Sequence, residues 1–262
     1  MSNGTKLAIH FTKEAAREFA DAFALLREDQ KGHFGTAVFG SSRLKPGTPT
    51  YKQVSKIAHQ IGLAGSDIIA GGGPGIMEAA SEGGNLAKAK GAPIRVKASK
   101  IRIPWEPQHG EYDIVVEFDA FEPRVRTMFS MAQAFVVAPG GIGTLKEMMD
   151  VIQLLQLGVG FSKDKHDDMD PLIVVYDEWP EAVVPSGGDI TPQEAQLMRQ
   201  HSPWELVKAC IGSMAMRGTV SWSDLKLFHV TRDPDEVVRL VTSHMNEYYT
   251  RHPRPSHSVT VH

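Results

Sequence analysis

The chain has 262 residues, 42% hydrophobic and 23% charged, which excludes a disordered chain, a collagen-like repeat and a small disulfide scaffold. Its 28 basic and 31 acidic residues leave a formal charge of −3, so no global field draws it to nucleic acid or to an anionic membrane. Any anion it binds must be held by local geometry.

One cysteine, Cys210, excludes an internal disulfide and a multi-cysteine zinc site and fits a reducing compartment. Lys6, Lys13, Glu14, Arg17 and Glu18 interrupt any apolar core of a secretory signal near the start. Apolar runs such as Phe135–Ala138 and Leu172–Tyr176 fall far short of the ~20 residues of a membrane span. The expectation is a cytoplasmic protein.

In chain order, Lys13–Gln30 has the spacing of an amphipathic helix, with Ala16, Phe19, Ala20, Phe23 and Leu26 on one face. A strand over Thr36–Phe39 runs into Gly40-Ser41-Ser42-Arg43, and a helix over Thr50–Leu63 follows Pro49. A strand over Asp67–Ala70 runs into Gly71-Gly72-Gly73-Pro74-Gly75, followed by a helix over Ile76–Lys90. Strands are expected at Ile94–Val96 and Ile114–Phe118, then a helix at Arg124–Ala134. The strand Phe135–Ala138 ends in Pro139-Gly140-Gly141-Ile142-Gly143 and leads into a helix over Thr144–Leu157. After a charged loop at Ser162–Asp170 come a strand at Leu172–Tyr176 and helices at Pro192–Arg199 and Trp204–Met214. A last strand at Leu227–Val230 and a helix at Pro234–Tyr249 close the series.

Short apolar strands alternating with helices of ten to fifteen residues indicate a parallel α/β sheet. The strands are continuous apolar runs, as expected when helices cover both faces. The fold class is therefore a Rossmann-like, doubly wound parallel sheet in one domain. Its expected limits are 36–250, with an N-terminal helical extension over 1–35 and a frayed tail over 251–262.

Three turns share one format of strand, small residues and helix: Gly40–Arg43, Gly71–Gly75 and Gly140–Thr144. In open α/β sheets ligands sit beyond the carboxyl ends of the strands, where such turns gather. Glycine lets the backbone approach a ligand, and the helix N-terminus that follows presents unpaired N–H groups and partial positive charge. A phosphate or similar anion is the chemistry that suits all three. Neither the G-x-G-x-x-G spacing nor G-x-x-x-x-G-K-[ST] occurs, which disfavours a dinucleotide oxidoreductase and a P-loop NTPase.

The run Gly71-Gly72-Gly73-Pro74-Gly75-Ile76-Met77-Glu78-Ala79-Ala80, together with Pro139-Gly140-Gly141-Ile142-Gly143-Thr144-Leu145-Lys146-Glu147, resembles the LONELY GUY family. The resemblance runs from about Thr36 to Gly158, and Gly218–Val241 is similar to the family's C-terminal end. It implies hydrolysis of the N-glycosidic bond of a nucleoside 5′-monophosphate, giving free base and ribose 5-phosphate. It also implies a catalytic Glu147 at the end of P-G-G-x-G-T-x-x-E and a catalytic Arg124, eight residues before the Ala-x-Ala-Phe segment. Gly140, Gly141, Gly143 and Thr144 would cradle the 5′-phosphate, and Ser41, Gly72 and Gly73 would line its ribose side. No metal or organic cofactor is called for. The expected assembly is a homodimer or a higher homo-oligomer, with the site near the subunit interface. The competing reading is a non-catalytic nucleotide- or pterin-phosphate-binding carrier, which keeps the glycine turns but needs neither Arg124 nor Glu147. A lysine decarboxylase is disfavoured, since nothing marks a Schiff-base lysine.

Several residues have structural alternatives. Thr144-Leu-Lys-Glu147 also fits a capping box, with Thr144 at the N-cap and Glu147 three residues on. Glu78 suits a helix start by charge alone. The sequence departs from the family pattern at Val125, where a lysine is usual, and at Lys146, where a glutamate often precedes Glu147; Arg126 is the candidate substitute cation. His252, His257 and His262 lack metal-ligand spacing, and Asp167, Asp168 and Asp170 lack the rest of an EF-hand. Trp105, Trp179, Trp204 and Trp222 are scattered and form no basic–aromatic stripe. The helix at Thr144–Leu157 is apolar on more than one face, with Leu145, Met148, Ile152 and Leu155 on one and Val151 and Leu154 on another. It is expected to bury both, one of them against a second subunit.

Overall fold

Strands whose residues are apolar on both faces demand cover on both sides, and the chain supplies it by alternating strand and helix. The computed structural model describes residues 32–102, 108–158, 169–179 and 200–253, together with 17, 20, 191, 193, 194 and 196. Trp105, the acidic loop at 162–168, His257 and His262 lie outside the described residues, as do all but residues 17 and 20 of the helix expected over 13–30 and most of the helix expected at 192–199.

The strands are β1 (Gly35–Phe39), β2 (Asp67–Ala70), β3 (Val96–Ile101), β4 (Ile114–Phe118), β5 (Ala134–Val137), β6 (Leu172–Tyr176) and β7 (His229–Thr231). They form one parallel sheet in the order β4-β3-β2-β1-β5-β6-β7. The helices are α1 (Pro49–Ala64), α2 (Ile76–Ala89), α3 (Phe121–Ser130), α4 (Ile142–Leu157), α5 (Pro203–Met216) and α6 (Pro234–Arg251), with a 3₁₀ turn at Trp222–Lys226.

Alternate side chains of central β1 enter two different cores. Val38 joins Ile57, Ile61, Ile76, Val136 and Val241 on the face covered by α1, α2 and α6. Ala37 and Phe39 join Met128, Phe129, Phe135, Met148 and Val151 on the face covered by α3 and α4. Each fully buried side chain of this size contributes roughly 1.5–3 kcal/mol. The Phe39, Phe129 and Phe135 rings lie with centroids 5.5–6.0 Å apart, which ties β1, α3 and β5 directly behind the carboxyl edge of the sheet. On the other face α6 braces the opposite edge: Phe34 N–H donates to Tyr249 Oη at 3.0 Å.

Three expected boundaries are corrected. The third strand is Val96–Ile101 and not Ile94–Val96, because Lys97, Ser99 and Lys100 break the apolar run that marks the others. Lys97 is nonetheless buried, paired with Asp67 of β2 at 2.9 Å. The helix expected at Arg124–Ala134 begins at Phe121 and ends at Ser130. Pro123 is compatible with its first turn, where the backbone N–H has no intrahelical acceptor, while Ala134 opens β5. The helix expected from Thr144 begins two residues earlier, at Ile142.

Helix α4 buries Thr144, Met148, Val151 and Ile152 against the sheet. Leu145, Leu154 and Leu155 are half-buried, and Ile142 and Leu157 are exposed. Among the described residues, then, only one of its faces is buried. Among the described residues no helix is long and apolar enough to cross a membrane.

Candidate functional site

The strand order places the topological switch between β1 and β5, since the chain runs outward from β1 to β4 and then returns to the other side of β1. A crevice opens at such a point beyond the strand ends, and the turns after β1, β2 and β5 border it. They are tied together by backbone bonds. Ser41 N–H donates to the Pro139 carbonyl at 3.0 Å, and Ile76 N–H donates to the Ser41 carbonyl at 3.0 Å. Gly75 has φ of +71° and lies so close that a side chain there would collide with the Ser41 carbonyl. The β1 turn is folded on itself as well, with Arg43 N–H donating to Ser41 Oγ at 3.1 Å. That leaves the Ser41 hydroxyl hydrogen to donate elsewhere.

The crevice is a cavity of ≈ 760 Å³, within the size of a small-molecule site. Of the residues expected to form a site, Ser41, Gly72, Gly73, Arg124, Gly141, Gly143, Thr144 and Glu147 all line it. Gly140 does not; it lies under the Thr144 side chain. Glu78 is also absent from the lining, its carboxylate lying 3.8 Å from His109 Nδ1.

The capping box expected at Thr144 is not formed. Gly141 is the N-cap of α4, without a side-chain cap, which puts Thr144 at the third helical position. The first N–H groups of α4 therefore carry no side-chain cap where they border the cavity, the arrangement that favours an anion. Glu147 pairs with an arginine instead. Its Oε1 accepts from Arg124 Nη1 at 3.2 Å, both side chains being largely buried. A true capping box stands at Ser202 and Glu205, which starts α5.

Arg124 is fixed from three directions. Its Nε donates to the Ser99 carbonyl at 2.9 Å, and Ser99 Oγ donates back to the Arg124 carbonyl at 2.8 Å. A methyl group on Gly71 would overlap the guanidinium. Burial raises the Glu147 carboxyl above its ordinary range, and the adjacent Arg124 charge opposes that rise without cancelling it. A carboxylate beside an arginine in a half-dry wall can stabilise positive charge developing on a ligand, orient a water, or both.

The departures from the family pattern resolve physically. Val125 packs into the core and also lines the cavity. Lys146 is held by Asp150 at 2.6 Å, a bond that raises its ammonium above the usual lysine range. Arg126 pairs with Glu122 on an exposed face and does not line the cavity, so it is no substitute. Arg43, Lys100, Phe121 and Ile101 do line it. Of these only Arg43 had a visible signal, its place at the end of the Gly40–Arg43 turn. The others lie on β3 and at the start of α3, two of the three elements whose boundaries shifted.

Residues 68–179 match the family model described as "possible lysine decarboxylase", the label long attached to LONELY GUY proteins. That segment is similar to the LONELY GUY family. A relative named cytokinin riboside 5′-monophosphate phosphoribohydrolase, from Mycobacterium marinum (strain ATCC BAA-535 / M), is 28% identical over 157 residues. The match covers 58% of this chain and 75% of the relative. A pyrimidine/purine nucleotide 5′-monophosphate nucleosidase from Escherichia coli (strain K12) is 26% identical over 164 residues, covering 58% of this chain but 34% of that protein. Among solved structures, an X-ray structure from a structural genomics consortium superposes with a TM-score of 0.51 at 16% identity, over 80% of this chain and 99% of that one. The likeness is one of fold, a Rossmann-like parallel α/β sheet. A molybdenum cofactor carrier protein from Chlamydomonas reinhardtii has a TM-score of 0.48 at 16% identity, over 82% of this chain and 99% of that one.

Proposed function

We propose that the chain hydrolyses the N-glycosidic bond of a nucleoside 5′-monophosphate, a cytokinin riboside monophosphate or an AMP-like nucleotide. The observation that carries this reading is the Arg124–Glu147 pair set in the wall of a cavity bordered by three glycine turns. In the reaction the C1′–N bond breaks, its electron pair leaves with the base, and C1′ becomes oxocarbenium-like before water adds its oxygen there. One proton of that water ends on the base. Glu147 faces the positive charge at C1′ or orients the water, and Arg124 holds Glu147 in place and assists at the glycosidic bond. Gly141, Gly143 and Thr144 hold the 5′-phosphate, with Gly140 beneath Thr144, and Ser41, Gly72 and Gly73 flank the ribose phosphate. Water is the only co-reactant in this scheme.

The same reading extends to the assembly. The exposed Ile142 and Leu157 and the half-buried Leu154 and Leu155 of α4 suit a homodimer or higher homo-oligomer with the site near its interface. We take the catalytic unit as residues 36–250, flanked by extensions, and its location as cytoplasmic.

The test is incubation with a panel of nucleoside 5′-monophosphates, AMP and isopentenyladenosine monophosphate among them, with free base followed by chromatography. Release of base from at least one is expected. Tight binding across the panel without release would withdraw the hydrolase in favour of a nucleotide carrier.

A second test bears on Arg124 without altering it. Gly71 does not occupy the left-handed region, so Gly71→Ala adds no backbone strain. Its methyl group would meet both the Met77 sulfur and the Arg124 guanidinium, pushing the latter off the Ser99 carbonyl and away from Glu147. Stability falls by on the order of 1 kcal/mol, whereas the displacement lowers the rate of base release about 100-fold. Thermal melting and single-turnover rates separate the two; an unchanged rate would mean that the position of Arg124 is immaterial.

A further inference from the structure

Four cations and one carboxylate line the cavity: Arg43, Lys100, Arg124, Lys146 and Glu147. Three of the cations are already matched. Arg124 pairs with Glu147, Lys100 with Glu117 at 3.1 Å, and Lys146 with Asp150. Arg43 has no carboxylate partner among the described residues, and its guanidinium makes no hydrogen bond to any of them. It is not free in position, however. Its backbone N–H is fixed on Ser41 Oγ, and Ser41 is fixed on Pro139 of the β5 turn and on Ile76 at the start of α2. Among the described residues, a single unmatched guanidinium is thus presented from a braced turn into a cavity whose other charges are balanced.

We propose that Arg43 is the counter-charge for the substrate's phosphate, the residue that makes this site select a phosphorylated ribose over an unphosphorylated one. The backbone donors of the glycine turns supply partial charge and shape, but among the described residues only Arg43 brings a whole unmatched charge. A guanidinium can also meet two phosphate oxygens at once, which an ammonium cannot. The proposal rests on the nucleoside 5′-monophosphate reading only for the identity of the group that carries the phosphate.

Binding of inorganic phosphate, ribose 5-phosphate and ribose is measured by calorimetry for the full chain and for Arg43→Ala, Arg43→Lys and Arg43→Glu. Arg43→Ala is expected to weaken phosphate and ribose 5-phosphate by about 10- to 100-fold, the loss of one charge-assisted contact. Arg43→Lys restores part of that affinity, Arg43→Glu weakens it further, and ribose binding is the same in all four. With a nucleotide that is turned over, KM rises by the same factor and kcat stays within about threefold. The side chain is exposed and has no partner among the described residues, so melting curves are expected to coincide. Arg43→Ala binding phosphate within twofold of the unmodified chain would overturn the proposal. If the unmodified chain releases no base from any nucleotide but Arg43→Ala still loses phosphate affinity, the hydrolase reading falls and this one stands. If base is released with unaltered KM in Arg43→Ala, the reverse holds.

Discussion

Glu147→Gln is expected to slow base release from a nucleoside 5′-monophosphate by about 100- to 1,000-fold, the cost of removing one preorganised electrostatic group from a reacting centre. The amide is nearly the shape of the carboxylate, and its oxygen still accepts from Arg124 Nη1. The cavity wall therefore keeps its form, and nucleotide affinity should stay within about threefold, since what is lost is felt when C1′ turns positive and not before. Glu147→Asp keeps the charge but withdraws it by one methylene, and a misplacement of about 1 Å is expected to cost on the order of 100-fold. Rates for both variants within tenfold of the unmodified chain would remove Glu147 from the mechanism.

The acid limb of the rate profile gives a second reading on the same group. Burial favours the neutral form of Glu147 and lifts its pKa, with Arg124 pulling the other way. The ionised form is the one that faces positive charge, so activity falls as pH drops through this raised pKa. The limb should lie above the ordinary glutamate range near ~4.3. The sign for stability is the opposite. A carboxyl whose folded pKa is raised contributes stability below its unfolded pKa and loses it as pH rises through the folded one. The site is thus most active where this group is least comfortable.

How far the chain could be read from residue types alone follows from where charge is placed. Strands β1, β2, β4 and β6 are legible because each is an unbroken or nearly unbroken apolar run. β3 is hidden because Lys97 and Lys100 look like surface residues, yet Lys97 is fully buried on Asp67 and Lys100 faces the cavity rim. The glycine turns are legible as phosphate-holding elements because their residue types have few other uses. Which charges meet there is set by the strand order: β3 beside β2 brings Ser99 to Arg124, and β5 beside β1 brings Thr144 and Glu147 to Ser41 and Arg43. Thr144 shows the limit of local pattern. Its spacing to Glu147 satisfies a capping box on paper. The helix starts two residues earlier, and Glu147 turns to an arginine 23 residues upstream.

The buried pair at the other end of β2 sets the second large expectation. Lys97→Met should destabilise the fold by about 3–5 kcal/mol at pH 7, because it strands the Asp67 carboxylate in the interior. Burial alone would raise the Asp67 carboxyl. His33 at 3.8 Å, Lys97 at 2.9 Å and the Arg95 N–H at 2.9 Å outweigh it and hold the group below the ordinary range. In the unmodified chain the stability due to Asp67 is therefore present above the unfolded pKa of ~3.9 and lost as pH falls through the folded value. Lys97→Met removes the ammonium charge from the groups that oppose burial, leaving His33 and the Arg95 N–H, so the Asp67 carboxyl rises relative to the unmodified chain. The variant's penalty is then present while Asp67 is ionised and shrinks as acid neutralises it. Urea unfolding at pH 7 and pH 4 should show the gap between the two proteins closing at the lower pH. The double variant Asp67→Asn, Lys97→Met keeps an oxygen for the Arg95 N–H and buries no charge, so it should recover most of the loss. A gap of equal size at both pH values would mean that Lys97 stabilises the sheet by packing alone.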